Sequence, residues 1–261
     1  MEHMDSPRER IPQLLSGFPT GASTARLSPD ELTAYFDVNP SGSGPPYLDL
    51  YQVSRGAPED VFSGSTSLTT LNTTTADEFH ATVSGDGLTA VFTRSGSTLD
   101  LFIATRPSAA SQFGAPSALL APVNTSETEQ DPYLLPDAKV LYFSRSGGAG
   151  LDLYRAAGNG SSFNTVTALS ELNTQATDYF SVITQDDLTI FWGSTRTDLG
   201  AKGGVDIYTA SRASTGVPFS GIRNVAELNT VSSESPSSVS SDGCRLYFTQ
   251  AGGIYVAKRA K

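Results

Sequence analysis

Acidic side chains recur at one position of a repeated pattern. An aspartate closing a short apolar run stands six residues ahead of an aromatic at five places: Asp30 and Phe36, Asp86 and Phe92, Asp137 and Phe143, Asp186 and Trp192, Asp242 and Phe248. Eight residues before these aspartates lie Ala22, Glu78, Glu129, Asp178 and Glu234, four of the five acidic. Two positions further along are Thr24, His80, Asp131, Phe180 and Pro236, a set that does not repeat. If ring symmetry brings the carboxylates toward one axis, like charges repel unless they are spaced, hydrated or bridged by a cation. A hard cation with oxygen ligands, Ca²⁺ above all, suits such a set. The alternative is that each acid hydrogen-bonds the backbone of its own connecting loop and recurs because the unit was copied.

Other chemistries find less to work with. His80 has only His3 as a fellow histidine, and Asp77-Glu78-Phe79-His80 lacks zinc-site spacing. As a general base His80 needs a serine or water partner and an orienting acid, a place Asp131 can fill from across a channel, but no nucleophile elbow or phosphate-binding loop accompanies them. Tyr133, Tyr179 and Phe180 lack equivalents in every unit, so their faces are candidates for stacking on a sugar or holding a peptide. The turn aspartates are expected to cap backbone. Asp49, Asp100, Asp152 and Asp206 are expected to hold neighbouring units together, and Cys244 and Trp192 to pack in the core.

The elements that position these residues follow from the repeat. Successive turn aspartates are 56, 51, 49 and 56 residues apart, a period of blades rather than helical pairs. An apolar residue precedes each by three positions (Leu27, Val83, Leu134, Ile183, Val239), marking a core-facing first strand. Turns such as Pro29-Asp30 and Ser241-Asp242-Gly243 predict a tight hairpin. Second strands carry Tyr35-Phe36, Tyr142-Phe143 or Tyr247-Phe248, third strands Asp49-Leu50-Tyr51 or Asp152-Leu153-Tyr154, and fourth strands lead into Asn72-Thr73, Asn124-Thr125, Asn173-Thr174 and Asn229-Thr230. The last unit stops after its third strand, and the segment Ile11 to Phe18 sits where a fourth strand belongs. The expected fold is all-β: a single closed five-bladed β-propeller of four-stranded antiparallel blades over residues 11–261, with an N-terminal strand completing the last blade. Residues 1–10, polar and with two methionines close together, are expected to be a flexible tail, partly of expression-vector origin. The first-to-second-strand turns then share one face. The second-to-third-strand hairpins share the other with the inter-blade connections, and the longest of them, Asp37 to Tyr47 and Gly193 to Gly204, make that face the one expected to bind.

Ser28-Pro29-Asp30, Ser241-Asp242-Gly243, the Tyr-Phe pairs, the Asp-Leu-Tyr strands and Glu227-Leu228-Asn229-Thr230 resemble the TolB-type, WD40-like (PD40) repeats of bacterial envelope β-propellers, from about Ile11 to Lys258. That resemblance implies the fold and a periplasmic or extracellular setting. For function it implies little, because such repeats serve as docking platforms and as parts of peptidases.

Composition narrows the partners. A formal charge of −10 and a pI near 4.6 disfavour nucleic acid and anionic membrane surfaces. No stretch approaches the roughly 18 apolar residues of a membrane span. With one cysteine, no internal disulfide forms. The expectation is a monomeric, non-catalytic binding or scaffold propeller that takes a protein or small polar ligand at the channel entrance. Residues Glu78, His80, Glu129, Asp131, Tyr133, Asp178, Tyr179, Phe180 and Glu234 line that entrance. The competing readings are a glycoside-hydrolase-like enzyme using Glu129, Asp131 and Asp178 as acid and base, and a lectin with one sugar site per blade.

Overall fold

Each sheet begins at a turn that the sequence dictates. The turn aspartate accepts a hydrogen bond from the backbone N–H two residues on, as Asp30 does from Leu32 at 3.0 Å and Asp242 from Cys244 at 3.0 Å. A hydroxyl two residues before it, from Ser28, Ser84, Thr184 or Ser240, donates to the same carboxylate in four of the turns. The residue after it is left-handed every time: Glu31, Gly87, Ala138, Asp187 and Gly243 have φ between 58° and 74°. Cys244 sits in this turn and is exposed rather than packed, because the position lies at the rim of the sheet and its thiol turns back toward the Asp242 carbonyl.

A computed structural model describes residues 8–9, 16–40, 48–147 and 149–259. The chain opens with β1 (Arg8–Glu9). Blade 1 follows as β2 (Ser23–Leu27), β3 (Thr33–Val38), β4 (Asp49–Ser54) and β5 (Ser63–Ser67); blade 2 as β6 (Glu78–Val83), β7 (Thr89–Ser95), β8 (Leu99–Thr105) and β9 (Ser117–Ala118). Blade 3 comprises β10 (Glu129–Leu134), β11 (Val140–Gly147), β12 (Gly150–Gly158) and β13 (Phe163–Ala168). Blade 4 comprises β14 (Asp178–Ile183), β15 (Thr189–Ser194), β16 (Asp206–Ser211) and β17 (Ser220–Asn224). Blade 5 is β18 (Glu234–Val239), β19 (Arg245–Gln250) and β20 (Gly253–Arg259), with β1 as its fourth strand. Every pairing is antiparallel, and no helix occurs among the described residues. The protein is a five-bladed β-propeller.

The closing strand is shorter and earlier than its expected position. Arg8 pairs with Arg259 and Glu9 with Lys258, upstream of Ile11–Phe18. Of that segment, residues 11–15 lie outside the described residues and Phe18 packs edge-on against Phe36 and Phe62. Residues 41–47 of the Asp37–Tyr47 hairpin also lie outside the described residues.

The core divides by seam rather than by blade. One cluster joins Tyr142 and Leu153 of blade 3 to Ile183, Ile190 and Trp192 of blade 4. Others join blades 1 and 2 through Tyr35 and Phe92, blades 2 and 3 through Val91 and Phe143, and blades 4 and 5 through Phe191 and Phe248. Ile254 of blade 5 packs with Phe36 and Val53 of blade 1. Fully burying each large side chain contributes about 1.5–3 kcal/mol, so seams, not single sheets, hold the disc.

Polar clamps on the same seams explain why an acid replaces glycine after two of the turns. Glu31 accepts hydrogen bonds from Arg245 and from the Tyr247 hydroxyl of blade 5. Asp187 accepts from the Tyr142 hydroxyl and pairs with Arg155 at 3.0 Å and Arg212 at 2.7 Å. Arg55, Arg106 and Arg212 each donate Nε to the carbonyl of the left-handed residue and lie 4.3 Å over Phe62, Phe113 and Phe219.

Burial, reinforced by the carboxylate each phenol donates to, pushes the Tyr142 and Tyr247 hydroxyls well above their ordinary range. A proton held more tightly in the folded than in the unfolded state gives stability that is complete below the unfolded pKa, about 10. That stability is lost as pH rises beyond it. Unfolding free energy, measured with urea from pH 8 to 11.5, is expected to stay level to about pH 10 and then fall by up to ~1.4 kcal/mol per pH unit for each of the two tyrosines. Tyr142→Phe should flatten the decline; an equally steep decline in that variant would assign it elsewhere.

Candidate functional site

The nine expected site residues separate into two groups. Glu78, Glu129, Asp178 and Glu234 open the first strand of blades 2 to 5 and are wholly buried. Each turns back to the connection that precedes it. Glu78 accepts from Thr73 N at 2.9 Å and Thr73 Oγ1 at 3.0 Å, Glu129 from Thr125, Asp178 from Thr174 and Glu234 from Thr230 in the same way. The far side of each carboxylate meets the second strand or the loop after it. Arg94 Nε reaches Glu78 and Arg145 Nε reaches Glu129, both at 2.7 Å. Arg196 NH2 reaches Asp178 at 2.9 Å, beside the Trp192 indole N–H at 3.1 Å, and Gln250 Nε2 reaches Glu234 at 2.6 Å.

The preceding asparagine completes the unit. Asn72, Asn124, Asn173 and Asn229 bond both backbone groups of Leu50, Leu101, Leu153 and Ile207 on the third strand. The Asn-Thr pair and the acid therefore form one device that pins each connection, and its oxygens are already engaged. Arg196, in the long Gly193–Gly204 hairpin, turns inward to this device and away from the loop surface. The third-strand acids do not all bridge blades as expected: Asp206 caps its own hairpin through the backbone N–H groups of Lys202 and Gly203, and accepts from Asn224 at 3.0 Å.

The other group meets at the axis. Thr24, His80, Asp131 and Phe180 have φ of 42°, 55°, 57° and 52°. Each sits where the first-strand register slips, between Ser23 and Arg26, Phe79 and Thr82, Gln130 and Tyr133, and Tyr179 and Val182. Such bulges re-aim a side chain. Pro236, whose ring fixes φ negative, occupies the fifth equivalent.

His80 Nδ1 stands 2.6 Å from Asp131 Oδ1, with the His80 side chain 13% exposed and Asp131 wholly buried. Asp131 Oδ2 has no partner among the described residues. The Phe180 ring lies 5.0 Å from His80 and 4.5 Å from Tyr179, and Phe79 closes the other side of the imidazole at 4.8 Å. Sequence reasoning missed two members. Asp37 of β3, wholly buried, accepts from the His80 backbone N–H at 3.0 Å and from the Ser23 hydroxyl, and burial pushes its carboxyl up. Arg26, two residues beyond Thr24 where the ladder resumes, lies 5.1 Å over Tyr133 and donates to the Ser237 carbonyl at 2.7 Å. Burial lowers its guanidinium to about 10. Asp37 and Arg26 have no acidic or basic equivalents in the other units, so a search for repeats passes over them. Among the described residues no group of three or more His, Cys, Asp or Glu side chains stands where it could hold a metal ion.

This arrangement offers groups that recognise a small polar ligand: a buried carboxylate with one unpartnered oxygen, a partly exposed imidazole at its edge and aromatic faces beside it. The fold and site define a propeller with an asymmetric axial centre. No family model matches the chain, and no curated protein matches it. Solved structures do. A protein described as a TolB from Agrobacterium tumefaciens is 14% identical, with 94% of this chain and 78% of that one covered at a TM-score of 0.58. The TolB of Acinetobacter baumannii is 12% identical at a TM-score of 0.54, and this chain spans 55% of its length. The catalytic domain of a Coprinopsis cinerea GH62 α-L-arabinofuranosidase is 11% identical, covered over 99% of this chain and 98% of that one at a TM-score of 0.59. Likeness at these identities establishes the β-propeller architecture that the two kinds of protein share.

Proposed function

We propose that the protein is a non-catalytic binding propeller of the bacterial envelope, holding a small polar ligand or an exposed group of a protein partner at the axial entrance formed by His80, Asp131, Tyr179 and Phe180. The observation that carries this reading is the contrast among buried acids. Glu78, Glu129, Asp178 and Glu234 have every side met by a threonine and by an arginine or glutamine, whereas Asp131 Oδ2 is buried without a hydrogen-bond partner among the described residues, behind the partly exposed His80. A buried carboxylate oxygen without a donor is costly, so a ligand hydroxyl or ammonium placed there recovers the loss. The likeness to both TolB proteins and an arabinofuranosidase leaves protein and carbohydrate ligands as the two classes in view. The catalytic alternative is less well supported, because Glu129 and Asp178, its acid and base beside Asp131, are tied to Thr125 and Arg145 and to Thr174 and Arg196. The envelope setting rests on the resemblance of the repeats alone.

Thermal unfolding of the full chain with arabinose, xylotriose, myo-inositol and Ca²⁺ tests the reading. A ligand at about a hundred times its Kd stabilises the native state by ~2.7 kcal/mol. At least one probe is expected to raise Tm saturably. Asp131→Asn, which keeps the shape of the side chain, should weaken that response tenfold or more with the β-sheet circular dichroism of the free protein intact. A flat response to the whole panel, or an Asp131→Asn protein that responds like the parent, overturns it.

A further inference from the structure

The opposite end of the channel, on the face of the turn aspartates, carries a second site. Five first-strand side chains, Leu27, Val83, Leu134, Ile183 and Val239, converge there as an aliphatic collar around a cavity of about 30 Å³, with Arg26 and Tyr133 in its lining. Arg26 is only 2% exposed. Its NH1 is satisfied by the Ser237 carbonyl, but Nε and NH2 have no partner among the described residues. Those two nitrogens form one edge of the guanidinium, the edge that grips a carboxylate with two parallel hydrogen bonds. Asp37 and Asp131 act on Arg26 only through space, and neither is hydrogen-bonded to it. A buried guanidinium edge without a hydrogen-bond partner is costly. A cavity of this volume admits roughly two waters or the head of one small anion.

We propose that the turn-side mouth of the channel binds an aliphatic carboxylate, its two oxygens on Arg26 Nε and NH2 and its hydrocarbon against the collar. The lining decides the class. Arg26 is its one cation, joined by the neutral polar side chains of Thr82, Gln185 and Ser241, so a doubly charged phosphate or sulfate would be half compensated, whereas a carboxylate on a short alkyl chain matches one charge to Arg26 and apolar surface to Leu27, Val83, Leu134, Ile183 and Val239. The same chemistry is offered by a free short-chain acid and by the C-terminal carboxylate of a peptide ending in an aliphatic residue. This cavity lies at the other end of the channel from His80, and Arg26, which feels Asp131 through space, is the residue that links the two ends.

Calorimetric titration of the full chain with sodium butyrate, butyramide and a tetrapeptide ending in valine, as free acid and as amide, separates the outcomes. Butyrate is expected to bind saturably and butyramide at least about tenfold more weakly, the worth of a charge-assisted hydrogen bond. If the free-acid peptide binds more tightly than butyrate and its amide does not, the ligand is a chain terminus; if butyrate binds and neither peptide does, it is a small acid. Arg26→Met keeps an unbranched apolar stem, removes the guanidinium and should abolish binding with the β-sheet circular dichroism intact. Ser241→Phe, at the exposed rim of the cavity, should block entry while leaving Arg26 in place. Failure of both butyrate and the free-acid peptide to bind the parent protein, or equal binding by Arg26→Met or by Ser241→Phe, overturns the proposal.

Discussion

Replacing Asp178 with alanine is expected to lower the unfolding free energy by about 3–5 kcal/mol, the cost of leaving a buried ion pair without one partner. The carboxylate serves the Thr174 N–H, the Thr174 hydroxyl, the Trp192 indole and Arg196, whose side chain is 5% exposed. Without it the Arg196 charge stays buried over Tyr208 with nothing opposite, and the connection from blade 3 loses its anchor. Domains of this kind have roughly 5–15 kcal/mol in all, so Tm should fall on the order of 10 °C. Trp192, the only tryptophan, reports the transition in urea by its fluorescence. Asp178→Asn, which keeps an acceptor, should lose less. If Asp178→Ala unfolds at the parent's urea midpoint, the acid is not a structural anchor and its place among ligand-binding residues is restored.

The second large effect is expected at the seam where the ring closes. Glu31 and Arg245 are 214 residues apart in the chain, yet Glu31 takes both Arg245 and the Tyr247 hydroxyl. Glu31→Ala leaves Arg245 and Tyr247 facing an empty position, and a loss of about 3 kcal/mol follows from unpairing buried polar groups. Its signature is local. Hydrogen exchange should accelerate first in β20 and β2, while β11 and β15 on the far side of the disc keep their protection. Uniform acceleration across all blades would show that the closure is no weaker than any other seam.

Much of this fold was legible because its cause is local. An aspartate that closes an apolar run six residues ahead of an aromatic and accepts the N–H two residues on makes the same turn in all five units, and counting those turns counts blades. The device around the buried acids was also open to reading. The repeat without an Asn-Thr pair ahead of its first strand is also the one with Ala22 in place of an acid, so threonine and acid come and go together. The arginine clamps have a signature too: Arg55 and Phe62, Arg106 and Phe113, and Arg212 and Phe219 are each seven residues apart. Other features left no trace. Two residues, Arg8 and Glu9, are too few to show strand periodicity. Asp37 and Arg26 belong to blade 1 alone, and their meeting with His80, Ser237 and Tyr133 depends on the curvature of the whole ring. The acids were expected at the axis because the first strand was read as regular. The bulge instead sends the residue two positions later inward and leaves the acid facing its own loop.

That bulge separates what inheritance fixes from what it leaves free. A side chain held at left-handed φ costs on the order of 1 kcal/mol, which glycine would avoid, and His80, Asp131, Phe180 and Thr24 all bear it. The backbone socket is the same in four blades while its occupant differs in each, so an occupant can be exchanged without disturbing ladder, seam or connection. A lineage built on this disc can change what it recognises one socket at a time, and an experimenter can do likewise: the four positions form a compact library of axial chemistries on an unchanged frame.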